Sequence, residues 1–533
     1  MSARALLGAA VAVALAVPGT ASAAPRAGEP DPSFGQAGRV VLPYDVQPAV
    51  VLVQPDGKLV LPDSVSSRVL RLNPDGSPDR SFDGDGLASA GAGEKLLSAA
   101  LQPDGKLLVG GVTASLDSTI ARLNPTGSLD RTFSPGGADG DGRKVNGLGI
   151  VDRPSAIVAE PGGRMAVFGN SSNGAAGIRL DSAGSSDGTI FEPAGDGGTN
   201  AAVRSADGTF VVVGTSYEAG DWNAFAARWR EDGKLDTTFA GKGWTTVGSP
   251  AVRERTTGVL VQPDGKPVLV NDTGTAEIKT GLTRLTATGE PDGAFGDGGF
   301  AAPDFDGDDL PVGAGLQADG KLVVGSATSP GYRFAAARYT PQGTLDPAYG
   351  EGGKTTVAFD DAAIAQAATA QPDGKLVIAG WTAVENRTKM RTALVRLLAE
   401  DVPVPQSGGS GEQPGAGQVP DTTLSFALSG AKRQRLARLG AIRVRLQSAL
   451  EASSAVVRAS GRAGAAKLRL RPRTVAVAAG PGRTVALRLN RKQRRAIRAA
   501  LAAGKRPRLT VVAEARDAAG NRVRLTLRVT AKR

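Results

Sequence analysis

Carboxylates at alternate positions in Asp304-Phe305-Asp306-Gly307-Asp308-Asp309 gather several oxygens on one short loop, the donor set that a hard cation such as calcium takes. Asp304, Asp306 and Asp308 are the candidate metal ligands, with Asp139-Gly140-Asp141 and Asp83-Gly84-Asp85 as weaker echoes. Counted from Asp304, the twelfth position is Gly315, where a calcium hand carries a bidentate glutamate. The two readings are a calcium loop and a solvated acidic turn, and no other cofactor is expected. The chain of 533 residues has no histidine and no cysteine. That excludes disulfides, thiolate nucleophiles, Cys/His zinc sites, haem attachment and any histidine triad or general base. An enzyme would need carboxylates, Tyr or Lys, and no blade carries a distinctive cluster of them, so no catalytic residue is assigned.

Two charged positions recur. An arginine stands at Arg71, Arg122, Arg179, Arg228, Arg284, Arg338 and Arg396, read as the fourth strand of each unit. An aspartate in the pattern D-x-x-[FYI] stands at Asp31, Asp79, Asp130, Asp187, Asp236, Asp292 and Asp346, read as the start of each unit. Three residues later come Phe34, Phe82, Phe133, Ile190, Phe239, Phe295 and Tyr349. A ring of ligand contacts is one reading. Equal use in every unit is what a packing element needs, so the expectation is a structural Arg–Asp pair beside a mostly aromatic plug.

These residues are positioned by a repeat. Gln102 to Gly111, QPDGKLLVGG, has counterparts starting at Gln54, Glu160, Ser205, Gln262, Gln317 and Gln371. Their turn glycines, Gly57, Gly105, Gly163, Gly208, Gly265, Gly320 and Gly374, are 45 to 58 residues apart. A period near 50 signals a propeller or an array. Each unit offers a strand, a Pro-Asp-Gly turn, a returning strand, a further strand such as Ile120 to Leu123, and a second turn, Asn124-Pro125-Thr126-Gly127. Glycine at 72 and proline at 33 also favour many turns and short strands. The array starts at Asp31, in the second half of a turn segment, and stops at Arg396-Leu397, just before that segment. Such complementary ends predict ring closure, with Arg396 meeting Asp31 and no strand edge exposed.

QPDGKLLVGG, ARLNPTGSLDRTF and the glycine-rich bend after them resemble the bacterial delta-60 repeat over residues 31–398. That resemblance implies tandem repeats in an exported protein and a β-propeller fold, with no agreed activity. The copies at Glu160 and Ser205 lack the leading glutamine, so irregular third and fourth blades are expected.

The flanks differ. Arg4, the apolar run Leu6 to Val17 and Ala21-Ser22-Ala23 read as a secretory signal peptide over residues 1–23. No second apolar span follows, so no transmembrane anchor is expected. Residues 399–421 read as a Pro/Gly/Ser linker. Residues 422–533 hold 28 Lys and Arg against three acidic residues, a net +25, leaving 35 against 49, or −14, for the rest. Ile442 to Leu446, Thr484 to Leu489 and Arg508 to Val512 alternate as half-buried strands, Arg491 to Ala503 reads as a helix, and Arg516 to Asn521 as a hairpin turn. The ending VVAEARDAAGNRVRLTLRVT resembles bacterial immunoglobulin-like domains.

The expectation is an all-β protein, a seven-bladed β-propeller followed by a small β-sandwich. Functionally it is a secreted, monomeric binding or scaffold protein, held at the cell surface through anionic wall or extracellular polymers. Arginines that merely solvate strand faces are the plainer alternative. Nucleic acid is not expected as a partner, because Phe426 is the one aromatic residue of the basic region. The other function class is a histidine-free enzyme in the propeller channel, a lyase, hydrolase or oxidoreductase. The four tryptophans, Trp222, Trp229, Trp244 and Trp381, do not follow the blade period, which weighs against a repeated cofactor-docking motif.

Overall fold

The computed structural model describes residues 25–401 and 426–531, apart from 92–94, 136–141, 146–147, 149–150, 172–173, 196, 219–220, 249–252, 275–276, 306, 330, 385–388, 430–432, 435–440, 449–452, 464, 471, 478–482 and 518–521. The signal-peptide segment, residues 402–421 of the linker, Asp139-Gly140-Asp141, Asp306 and the turn at 518–521 lie outside the described residues. The chain divides into two units, Met1–Gln406 and Ser407–Arg533.

In the first unit the Pro-Asp-Gly turn sets the local geometry. Gln102 donates its amide N–H to Lys106, and Gly105 donates back to Gln102 at 2.9 Å. The seven turn glycines have φ between +81° and +92°, a region costly for any residue with a Cβ. Each turn joins the first and second strands of a four-stranded antiparallel sheet. Blade two is Lys95–Leu101, Leu107–Val112, Ser118–Leu123 and Arg143–Val145, paired in chain order. Six further sheets follow the same scheme. The structure is therefore a seven-bladed β-propeller.

The strand after the glycine-rich bend is the blade's own outermost strand, so the recurrent arginines sit on the third strand and the aspartates in the turn leading to the fourth. Except for Ser186–Ala194 in blade three, outer strands are short, down to two residues at Phe300–Ala301, and carry little apolar pattern. With one neighbour only, they bury little and leave a weak sequence signal. Middle strands are sandwiched between blades and buried on both faces. All six residues of Leu107–Val112 and of Ser118–Leu123 are buried, hence continuous apolar or small runs in place of alternation. Each interface has its own core; Val60, Phe82, Leu107 and Leu123 fill the one between blades one and two. First strands alternate, and six of them shift register through a bulge, between Leu96 and Ser98 in blade two and between Thr256 and Gly258 in blade five. A bulge adds twist where the innermost strands turn toward the axis.

Ring closure follows the predicted route. Blade seven is Ala363–Ala370, Leu376–Val384 and Lys389–Leu397, completed by the N-terminal strand Arg39–Val41. The amide of Asp31 donates to the Arg396 carbonyl at 2.7 Å. The propeller extends past the expected linker boundary: Leu398 donates to the Glu29 carbonyl, and Asp401 accepts from the Ala27 amide. Residues 399–401 are thus part of the ring.

In the second unit, Phe426–Ser429, Ala441–Ser448 and Arg483–Arg488 form one sheet. Ser453–Ala463, Arg508–Asp517 and Arg522–Ala531 form the centre of another, in which Arg433–Gln434 pairs parallel to the last strand. Ile442, Val444 and Leu487 of the first share a core with Val457, Val511 and Val529 of the second. The helix Arg491–Ala502 adds Ile497 and Leu501 to that core, and Asn490 and Gln493 cap it reciprocally. Arg516 and Arg522 are register partners on adjacent antiparallel strands, as the expected hairpin requires.

Candidate functional site

The recurrent charges meet on the face of the ring that carries the Pro-Asp-Gly turns. Arg122, next to last in its strand, donates through Nε to Asp130 at 2.7 Å; the Asp130 amide returns a bond to the Arg122 carbonyl. Thr132 closes on Asp130, and the guanidinium lies 4.8 Å from the Phe133 ring centroid. The same ion pair beside an aromatic ring holds for Arg71–Asp79, Arg228–Asp236, Arg284–Asp292, Arg338–Asp346 and Arg396–Asp31, at 2.7 to 2.9 Å, with alanine in place of the hydroxyl residue after Asp292 and Asp346.

Two partners were not anticipated. The lysine of the QPDGK turn joins the aspartate in five blades: Lys58, Lys106, Lys266, Lys321 and Lys375 lie 2.6 to 3.2 Å from Asp79, Asp130, Asp292, Asp346 and Asp31. Each arginine also reaches the next blade. Arg71 donates to the Pro125 carbonyl, Arg122 to Ser182, Arg179 to Glu231, Arg228 to Ala287, Arg284 to Pro341, Arg338 to Ala399 and Arg396 to Pro74. Seven blades are tied head to tail by seven guanidinium groups.

Blade three corrects the expectation for Asp187 and Ile190. Asp187 is exposed and accepts from the nearby Thr189 amide, and Ile190 is 53% exposed. Arg179 instead bonds Glu160 at 2.9 Å and packs over Phe191 at 5.4 Å. Glu160 occupies the position of the leading glutamine, so the substitution that made this copy irregular also supplies its carboxylate.

Burial alone would raise the aspartates' pKa. For Asp31, bonds from Lys375 and Ser33 and the Arg396 charge outweigh it and hold the group at about 2. Asp79, Asp130, Asp236, Asp292 and Asp346 are likewise held low. The folded state therefore binds fewer protons than the unfolded chain, whose aspartates titrate near pH ~3.9. Stability is present above that value and lost as pH falls toward 2. Melting temperature measured from pH 5 to pH 2 is expected to fall steadily; a flat profile contradicts the ionised ring.

Asp304 accepts from Lys279 Nζ at 2.8 Å, and Asp308 accepts from the Ile278 amide at 2.8 Å. With Asp306 outside the described residues, the described ones contain no group of three or more acidic side chains placed to hold a metal. Near the axis lies a cavity of about 220 Å³ lined by first-strand residues such as Val51, Ala201, Val259, Val312 and Ala367, with no titratable group in its lining.

Residues 54–82, 102–133, 205–239, 317–349 and 371–401 match the family described as "Domain of unknown function (DUF5122) beta-propeller". Those five segments are similar to DUF5122 propeller repeats. The third and fifth repeats are the two without a match, the third being the one whose ion pair is rebuilt. No curated protein matches the sequence. Among solved structures, this chain is similar to virginiamycin B lyase from Staphylococcus aureus, with TM-score 0.44 and 14% identity, covering 67% of this chain and 98% of the other. A protein of unknown function from Dyadobacter fermentans gives 0.36 and 14%, covering 69% and 100%. A PL25 ulvan lyase bound to -[GlcA(1-4)Rha3S]- gives 0.41 and 9%, covering 68% and 96%.

Proposed function

We propose that the protein is an exported, non-enzymatic binding protein of the cell envelope, in which the basic C-terminal unit, read as an immunoglobulin-like module, contacts anionic surface polymers. One observation carries this reading. Lys467, Arg462 and Arg508 are register partners on three adjacent strands, and all three are exposed. Arg458, Arg469 and Arg488 are exposed as well, while the whole region has three acidic residues. Like charges opposite one another on a sheet repel. An anionic polymer crossing the strands relieves that repulsion by matching charge to charge. The described residues that line the axial cavity include no acid or base.

Retention of the full chain on teichoic or uronic polymers tests the proposal. Binding is expected at low salt and lost as ionic strength approaches about 1 M, where charges are screened beyond about 3 Å. Replacing Arg462, Lys467 and Arg508 together by serine should abolish it. Retention indifferent to salt, or equal in the triple variant, overturns the reading.

A further inference from the structure

We propose that the opposite face of the propeller, away from the Pro-Asp-Gly turns, carries a subsite between blades four and five for an acidic saccharide unit. The subsite is on the ring and is independent of the basic sheet. The hairpin Phe210–Glu218 to Asp221–Trp229 brings Tyr217 and Trp222 together as cross-strand partners, ring centroids 4.9 Å apart. Both are exposed, 57% and 44%, whereas Trp229 on the same strand is fully buried. Trp222 borders a cavity of about 400 Å³ whose lining includes Asn200, Thr215, Arg253 and Arg255. An aromatic platform left in water needs a cover, and a flat ring beside donors suits the apolar face and hydroxyls of a sugar.

The charge identifies the sugar's class. Asp272, 1% exposed, accepts from Arg255 Nε at 2.9 and 3.2 Å and also from its terminal nitrogen. This fixes the guanidinium plane before a ligand arrives. The second cation, Arg253, approaches the same carboxylate at 3.6 Å, and its buried Nε has no hydrogen-bond partner. Two guanidinium groups share the Asp272 carboxylate, an excess of one positive charge on that side of the strand, the intervening Glu254 being buried. A carboxylate or sulfate on the ligand would balance it, in the planar geometry guanidinium groups favour. Asn200 is held by its Nδ2 bond to the Thr256 carbonyl at 2.7 Å, leaving its carbonyl oxygen for a hydroxyl.

Tryptophan fluorescence of the full chain, titrated with oligogalacturonate, a sulfated oligosaccharide, neutral dextran oligomers and a poly-glutamate peptide, tests this. Saturable change with an acidic saccharide is expected, the two acidic arms showing whether carboxylate or sulfate is preferred. Trp222→Ala should weaken binding by about tenfold or more, read by calorimetry, with Trp222→Phe retaining most of it. Arg253→Gln should reduce discrimination against the neutral oligomer. The Arg462/Lys467/Arg508 serine variant should bind as wild type, so that loss of wall retention and loss of this subsite are told apart. No change with either acidic sugar, equal binding of neutral oligomer or peptide, or unaltered affinity in Trp222→Ala overturns the proposal.

Discussion

Arg122→Ala is expected to cost the protein about 3 kcal/mol and to lower its melting temperature, while leaving binding at Trp222 unchanged. The magnitude follows from breaking a buried pair by removing one partner, which costs about 3–5 kcal/mol in general. Here the lower end applies, because Lys106 stays beside Asp130 at 2.6 Å and still neutralises it. What is lost besides the pair is the bond to the Ser182 carbonyl of blade three and the contact with Phe133. Arg122→Lys should recover little. An ammonium group keeps the charge but cannot serve Asp130, Thr132 and the Ser182 carbonyl from one rigid plane. A melting temperature equal to wild type for Arg122→Ala would remove the structural assignment of all seven arginines.

The second large effect separates two acidic residues 27 positions apart in sequence. Glu160→Ala should destabilise by about 3 kcal/mol, because it leaves Arg179, itself buried, without its carboxylate. Asp187→Ala should stay within about 0.5 kcal/mol, as an exposed loop acid does. Denaturant midpoints at unchanged slope make the comparison. Equal losses in the two variants would restore the D-x-x-I reading and refute the exchange. Glu160→Gln is the sharper control: it returns the residue used in five other blades but, with Asp187 out of reach, gives Arg179 no counter-charge.

The contrast between these residues shows what a sequence conveys. Period, blade number and closure were legible, because each turn demands a glycine at positive φ and five of the seven carry proline two residues before it, so nearly the same letters return at each turn. Six of the seven Arg–Asp pairs were legible by recurrence. The lysine follows the turn glycine in five copies, with Arg164 and Thr209 in its place in blades three and four, yet it was read as turn chemistry. Blade three was misread because the carboxylate moved to another turn and the plug moved one residue, from Ile190 to Phe191. Strand order was misread because an outermost strand such as Arg143–Val145 buries too little to carry a pattern. The pocket beside Trp222 was not legible. Arg255 and Asp272 face each other across a register that only a folded hairpin fixes, next to the bulge between Thr256 and Gly258.

Closing blade seven with Arg39–Val41 gives the molecule a schedule as well as a shape. Asp31 meets Arg396 across 365 positions of chain, so the strand made before the others of the ring is the last to find its place. Until Lys389–Leu397 exists, the N-terminal strand has no partner and blade one lacks a neighbour for the face that buries Phe34 and Leu70. Pairing of such long range is slow, because the intervening chain must be ordered first. The early blades therefore wait with an apolar flank uncovered, the condition under which nascent chains stick to one another. The interval before the final strand docks is the protein's period of greatest exposure to proteases and to its own copies.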